Sequence, residues 1–213
     1  RDGKLISTPH CYRDPRTDIY FEKIKKDLTP EFIYGRTGIQ FLFFNTLYQL
    51  AAELNQGRLG EADKFLMLPD LLNKFLCGSN SNEITNASTT QLLNAKTREW
   101  DWELIDRLSL PRKVFPPLHQ PGSKLGVIQG QGELDGIPVI AVGSHDTASA
   151  VAGIPMEKSK ITAYISSGTW SLVGLELNEA ITDEKTFAAN ITNELGVENR
   201  VRFIKNVSGL WLI

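Results

Sequence analysis

The feature that most constrains this chain is a cluster of prolines near its middle. Pro111, Pro116, Pro117 and Pro121 each fix φ and remove a backbone donor, so neither a helix nor a central strand runs through them. Arg112 to Gly122 is therefore expected to be an extended connector. The apolar spacing differs on its two sides. Before it, Leu47, Leu50, Ala51 and Leu54 recur at helical spacing, with Asn45 placed to cap the start and Gly57 the end. Pro69 to Gly78 carries proline in its first turn and glycine just past its end, which predicts a short helix. A third helix starts near Asp101, with Trp102, Ile105 and Leu108 on one face. After the connector the texture turns to β. Ile137 to Val142 reads as a buried strand, Ile161–Ser166 and Ser171–Leu175 as a hairpin about Gly168, and Val201–Lys205 as a further strand. The expected class is α/β, helical before the connector and strand-rich after it. A domain boundary is expected within residues 143–154.

Composition narrows the function. The 213 residues are 41% hydrophobic and 23% charged, an ordinary globular balance. A net charge of −2 argues against nucleic acid, which calls for a concentrated basic face. Lys23, Lys25 and Lys26 sit among acidic residues and read as a solvated helix face. The most apolar stretch, Leu66 to Leu76, is interrupted by Pro69, Asp70, Asn73 and Lys74, so no membrane span is expected. The opening Arg1-Asp2-Gly3-Lys4 has no signal-peptide character, and Cys11 and Cys77 have no metal-binding or redox spacing, as suits a reducing cytosol. The sequons at Asn86, Asn190 and Asn206 are read as chance matches. The missing initiator Met and the apolar ending Gly209-Leu210-Trp211-Leu212-Ile213 lead to the expectation of an incomplete chain.

Two segments concentrate chemistry. In open α/β sheets ligands bind beyond the carboxyl ends of strands, and Ile137–Val142 leads into Gly143-Ser144-His145-Asp146-Thr147. Asp146 or Thr147 also reads simply as the cap of a helix through Ala148, Ala150 and Val151. The two readings are compatible, because a helix start stabilises an anion. A Ser-His-Asp relay is excluded, since three consecutive side chains diverge from one backbone segment. The second segment, Ser166-Ser167-Gly168-Thr169-Trp170, suits a turn whose N–H groups approach a phosphate, or a plain hairpin turn. No Walker or Rossmann glycine pattern is present, and Gly130-Gln131-Gly132 reads as a surface turn.

Six stretches together resemble the FGGY carbohydrate kinases of the actin-like (ribonuclease H-like) ATPase superfamily, and within them the members that phosphorylate L-rhamnulose. They are Tyr12–Thr17, Gly38–Leu50, Ser144–Val151, Ser166–Leu172, Ala188–Glu194 and Lys205–Trp211. The resemblance implies two domains around a cleft. Residues 1–153 would be the later part of a sugar-binding domain and 154–213 the start of a nucleotide-binding one. It places the proton acceptor on Asp146 and sugar contacts on His145 and Thr147. It puts nucleotide-phosphate contacts on Gly168 and Thr169, and a further substrate contact on Asn206. The implied reaction uses ATP and Mg²⁺ to phosphorylate O1 of a free ketose, L-rhamnulose, in the cytoplasm, by a monomer or homodimer. Membrane and nucleic-acid partners are not implied. No metal ligand falls on this chain, and the family's Asp-x-Gly phosphate loop and adenosine pocket have no counterpart in it. Alternatives are a kinase for L-fuculose or xylulose, or a non-catalytic sugar sensor on the same fold.

Overall fold

The computed structural model describes residues 3–157 and 162–210; Arg1-Asp2, Ile161 at the start of the expected hairpin, and Trp211 to Ile213 lie outside them. The helical part runs α1 (Asp18–Asp27), α2 (Pro30–Thr37), α3 (Thr46–Asn55), α4 (Arg58–Glu61) and α5 (Leu68–Cys77). It continues through β1 (Asn82–Glu83), α6 (Ile84–Ala87) and α7 (Trp102–Arg107). There follow β2 (Leu118–His119), β3 (Lys124–Val127), β4 (Pro138–Ile140) and α8 (Asp146–Ala152). The chain closes with β5 (Ala163–Ser167), β6 (Trp170–Leu177), α9 (Glu184–Ala188), β7 (Thr192–Leu195) and β8 (Val201–Ser208).

Local signals account for most boundaries. α5 ends at Gly78, whose φ of 76° is the left-handed conformation glycine adopts without strain. α3 begins after Asn45 as expected, but the Asn45 side chain caps nothing. Its Nδ2 donates instead to Gln40 O at 2.9 Å and Gln91 Oε1 at 3.1 Å, because a buried amide is satisfied by tertiary partners here. In α7 the buried pair is Leu104 and Ile105, and Trp102 faces outward to stack under Arg112. The proline segment is not wholly irregular. Leu118–His119 pairs in parallel with Asn82–Glu83, beyond a 3₁₀ turn at Arg112–Val114.

The Ile137–Val142 run is shorter and less buried than expected. The strand proper is Pro138–Ile140, antiparallel to β3, with Ile137 bonded to Ile128 and Ala141 to Gly122 and Ser123 on either side; Val139 and Ala141 face inward while Ile137, Ile140 and Val142 are exposed. The run is apolar throughout, but pleating alternates its faces, and among the described residues only one face is covered.

The hairpin forms as expected, β5 and β6 pairing across Gly168-Thr169 in a four-stranded antiparallel sheet of order β5-β6-β8-β7. Alternation along β8 puts Arg202, Ile204 and Asn206 on one face, in register with Glu194 and Thr192 of β7 and with Leu172 of β6. This sheet is joined to the helical part rather than merely tethered to it. Leu195 and Val201 belong to the same buried cluster as Ile33, Leu47, Leu104 and Ile105. Tyr34 Oη donates to Ile191 O at 2.7 Å, Asn193 N to Gly38 O at 2.8 Å and Leu195 N to Ser88 Oγ at 2.9 Å. Among the described residues no helix is long and apolar enough to cross a membrane.

Candidate functional site

His145, Asp146, Thr147, Gly168, Thr169 and Asn206 all line one cavity of about 410 Å³. Gln40, Asn45, Thr192, Glu194, Trp170 and Leu172 complete much of its wall. Residues far apart in sequence thus meet where the loop before α8 faces the β5–β6 turn and the inner face of β8. A larger hollow of about 660 Å³ beside Val197–Arg200 contains none of the sequence-predicted residues. On its rim, Arg98 and Arg200 both bond to Asn178.

The loop carrying Asp146 is held from below by a buried carboxylate that sequence reasoning did not single out. Glu83, in β1, accepts from Thr85 N (2.9 Å), Thr85 Oγ1 (2.5 Å), Ser144 N (2.9 Å) and Ser144 Oγ (3.0 Å). Thr85 Oγ1 accepts from His145 N at 3.3 Å, and Gly143 O accepts from Ser149 Oγ at 2.5 Å. Donors from two chain segments converge on this one buried side chain, so the anchor fixes the backbone of residues 143–145. Asp70 lies behind it, fully buried, accepting from Glu83 N. Burial pushes its pKa up to about 6.

Asp146 is the first residue of α8. The N-cap position falls on His145, so neither Asp146 nor Thr147 caps the helix as expected, and the His145 side chain makes no capping bond. Asp146 Oδ1 accepts from Thr147 N (2.6 Å) and Thr147 Oγ1 (3.2 Å), yet its side chain is 97% exposed, toward the cavity. Packed interior does not claim it. Thr147, by contrast, is buried with its hydroxyl turned to Asp146.

His145 is mostly buried. Burial lowers its pKa from the ordinary value, Arg202 adds to that effect, and Glu194, Asp146 and Glu83 oppose it. Asn206 donates from Nδ2 to Gln40 Oε1 at 2.8 Å, a bond across the cavity from β8 to the loop after α2.

The Ser166–Trp170 turn is open. Nothing lies within 4 Å of where a Cβ on Gly168 would sit, and the φ of Gly168 is not positive. A left-handed backbone is therefore not the reason for glycine there, and the space beside it is open. The end of β8 fastens the turn: Leu210 N donates to Gly168 O at 2.9 Å and Gly209 N to Thr169 O at 3.2 Å. Ser167 Oγ and Ser171 Oγ, 2.9 Å apart, bridge its base.

Comparison with known proteins decides the family. The profile of the N-terminal domain of the FGGY family of carbohydrate kinases matches residues 1–153. The chain belongs to the FGGY family of carbohydrate kinases. Its sequence is 44% identical over 214 residues to a rhamnulokinase of Mannheimia succiniciproducens and 46% identical over 215 residues to one of Pectobacterium atrosepticum. In each case the alignment covers 100% of this chain and 43% of the relative, so the chain spans less than half the length of these relatives. The fold is likewise that of the FGGY kinases, an actin-like mixed α/β architecture. It superposes on a ligand-bound xylulose kinase from Lactobacillus acidophilus with a TM-score of 0.82 at 19% identity, covering 97% of this chain and 42% of that one. Against a Plasmodium falciparum glycerol kinase with ADP the TM-score is 0.79 at 15% identity, over 97% of this chain and 43% of that one.

Proposed function

We propose that the full-length protein transfers the γ-phosphoryl group of ATP to O1 of L-rhamnulose, giving L-rhamnulose 1-phosphate. The observation that carries this is the exposed Asp146 carboxylate facing the same cavity as the open Gly168-Thr169 turn, in a chain 44% and 46% identical to two rhamnulokinases. Phosphoryl transfer needs mainly positioning and charge stabilisation. Asp146 orients the attacking hydroxyl and accepts its proton; His145, Thr147 and Asn206 contact the sugar. Residues 1–153 serve the sugar and 154–213 begin the nucleotide side, in the cytoplasm.

The residues present suit a nucleotide's phosphates. The turn has room above Gly168, and Thr169 lines the cavity beside it. Mg²⁺ typically keeps several waters and is held through phosphates and one or two carboxylates, and it would supply charge neutralisation at the transferred group. The carboxylates lining this cavity are Asp146 and Glu194, and no group of three or more His, Cys, Asp or Glu side chains among the described residues is placed to hold a metal.

A coupled ADP-release assay over a panel of ketoses tests the proposal. L-rhamnulose should give the highest kcat/KM, above L-fuculose and xylulose. Preference for another ketose reassigns the substrate, and no release with any ketose, despite ketose binding, indicates a sugar sensor. Within the kinase, Thr169→Val should raise KM for ATP about 10-fold or more, the cost of one charge-assisted hydrogen bond, and leave KM for the sugar nearly unchanged. The reverse pattern would remove Thr169 from the nucleotide side.

A further inference from the structure

Arg202 sits across from Glu194 on the sheet face that floors the cavity, fully buried, and its guanidinium is shared among three partners. Nε and Nη2 both donate to Leu195 O at 3.3 Å, Nη2 lies 3.1 Å from Glu194 Oε2, and Nη1 lies 3.2 Å from His145 Nδ1. Arginine is donor-only and stays protonated in proteins, so the contact with His145 has one possible sense: Nη1 donates and Nδ1 accepts. The His145 proton is then on Nε2, which faces Glu194 Oε2 at 3.7 Å, a buried oxygen that accepts no hydrogen bond among the described residues. The same Nδ1 lies 3.6 Å from Asp146 Oδ1. With its lone pair directed at Arg202, Nδ1 has no proton to offer that carboxylate.

We propose that Arg202 is a positioning residue that holds His145 as the neutral Nε2–H tautomer and so prevents His145 from hydrogen-bonding to Asp146. Two acidic groups flank this imidazole, with Glu194 from β7 and Asp146 from α8, and Glu83 from β1 lies further below; Arg202 from β8 is the cation against them. Without it the ring would be drawn toward the imidazolium, which donates from both nitrogens. An Nδ1–H···Asp146 bond would then occupy the carboxylate that should accept from substrate. The inference rests on the kinase reading for its catalytic meaning, but the tautomer itself does not.

In ¹⁵N-histidine spectra of the full-length protein, the His145 signals are those that disappear in His145→Gln. At neutral pH the His145 signals should be those of a neutral ring protonated at Nε2. A ring protonated at Nδ1, or an imidazolium, overturns the proposal whatever the enzyme's activity. Arg202→Met should convert the signals toward the imidazolium, lower kcat about 10-fold or more, shift the acid limb of the pH–rate profile to higher pH, and leave KM for ATP within about twofold. The same substitution in a His145→Gln background should cost little, because no imidazolium can form. Equal losses in both backgrounds, or an unchanged spectrum in Arg202→Met, also overturn it. Should Arg202→Met not fold, the spectrum of the unsubstituted protein and Arg202→Lys, which keeps the cation with fewer donors, decide instead. If no ketose is phosphorylated while the Nε2–H spectrum holds, the functional reading alone fails.

Discussion

Asp146→Asn in the full-length protein is expected to lower kcat by about 10²–10⁴-fold, or about 3–5 kcal/mol of transition-state stabilisation, while ketose binding survives. The substitution keeps shape and the acceptor oxygen for Thr147 N, so α8 keeps its first turn. What is lost is a basic oxygen. Since the side chain is 97% exposed and Asn keeps an acceptor oxygen for the buried Thr147, little stability should be forfeited. Steady-state kinetics with calorimetric titration of the ketose separate the effects. A variant with near-normal kcat would exclude Asp146 as the base, and one that no longer binds sugar would make it a binding group.

The second large effect is expected at a residue that touches no substrate. Gly209 follows β8 and packs on the backbone of the Ser166–Trp170 turn. A Cβ there would lie 2.6 Å from Gly168 O, 2.7 Å from Trp170 C and 2.9 Å from Ser171 N. These are backbone atoms, so no side-chain rotation relieves the overlap, and the turn or the strand end must move. Gly209→Ala should cost about 1–3 kcal/mol in stability, the usual range for overpacking. Because the displaced atoms belong to the proposed phosphate turn, kcat/KM for ATP should also fall about 100-fold, since ångström-scale misplacement can cost that much. Thermal unfolding together with ATP kinetics is the check. Normal ATP kinetics in a folded Gly209→Ala protein would show that the turn does not need its present position.

Much of the fold was legible because it rests on local chemistry. The glycine past α5, the spacing within α3 and the small residues between β5 and β6 each act on their own neighbours. The errors share a different cause. Asn45 has the residue type and position of a cap, yet tertiary partners 46 residues away in one case take its side chain. Ile137–Val142 is apolar at each position, which suggests two covered faces, and pattern alone does not say what covers them. The candidate site divides in the same way. Residues that would face a ligand stand in compact, recognisable runs. Those that hold them in place do not: Glu83 precedes the loop it anchors by 61 residues, and Arg202 reaches His145 across 57. A lone Glu before Ile84 or an Arg in an alternating strand has no local signal separating it from a surface charge.

The ties of β7 to Gly38, Tyr34 and Ser88 have a mechanical consequence. The four-stranded sheet is clamped along one margin, whereas the margin formed by β5 leans on β6 and α8. Bending should therefore grow from the clamped strand outward, like a diving board fixed at one end. The β7 side, with Glu194, stays still while β5 moves most, and the Gly168 turn, fastened to the end of β8, is held between the two. Motion at the β5 margin would then be felt by α8 before it is felt at Glu194.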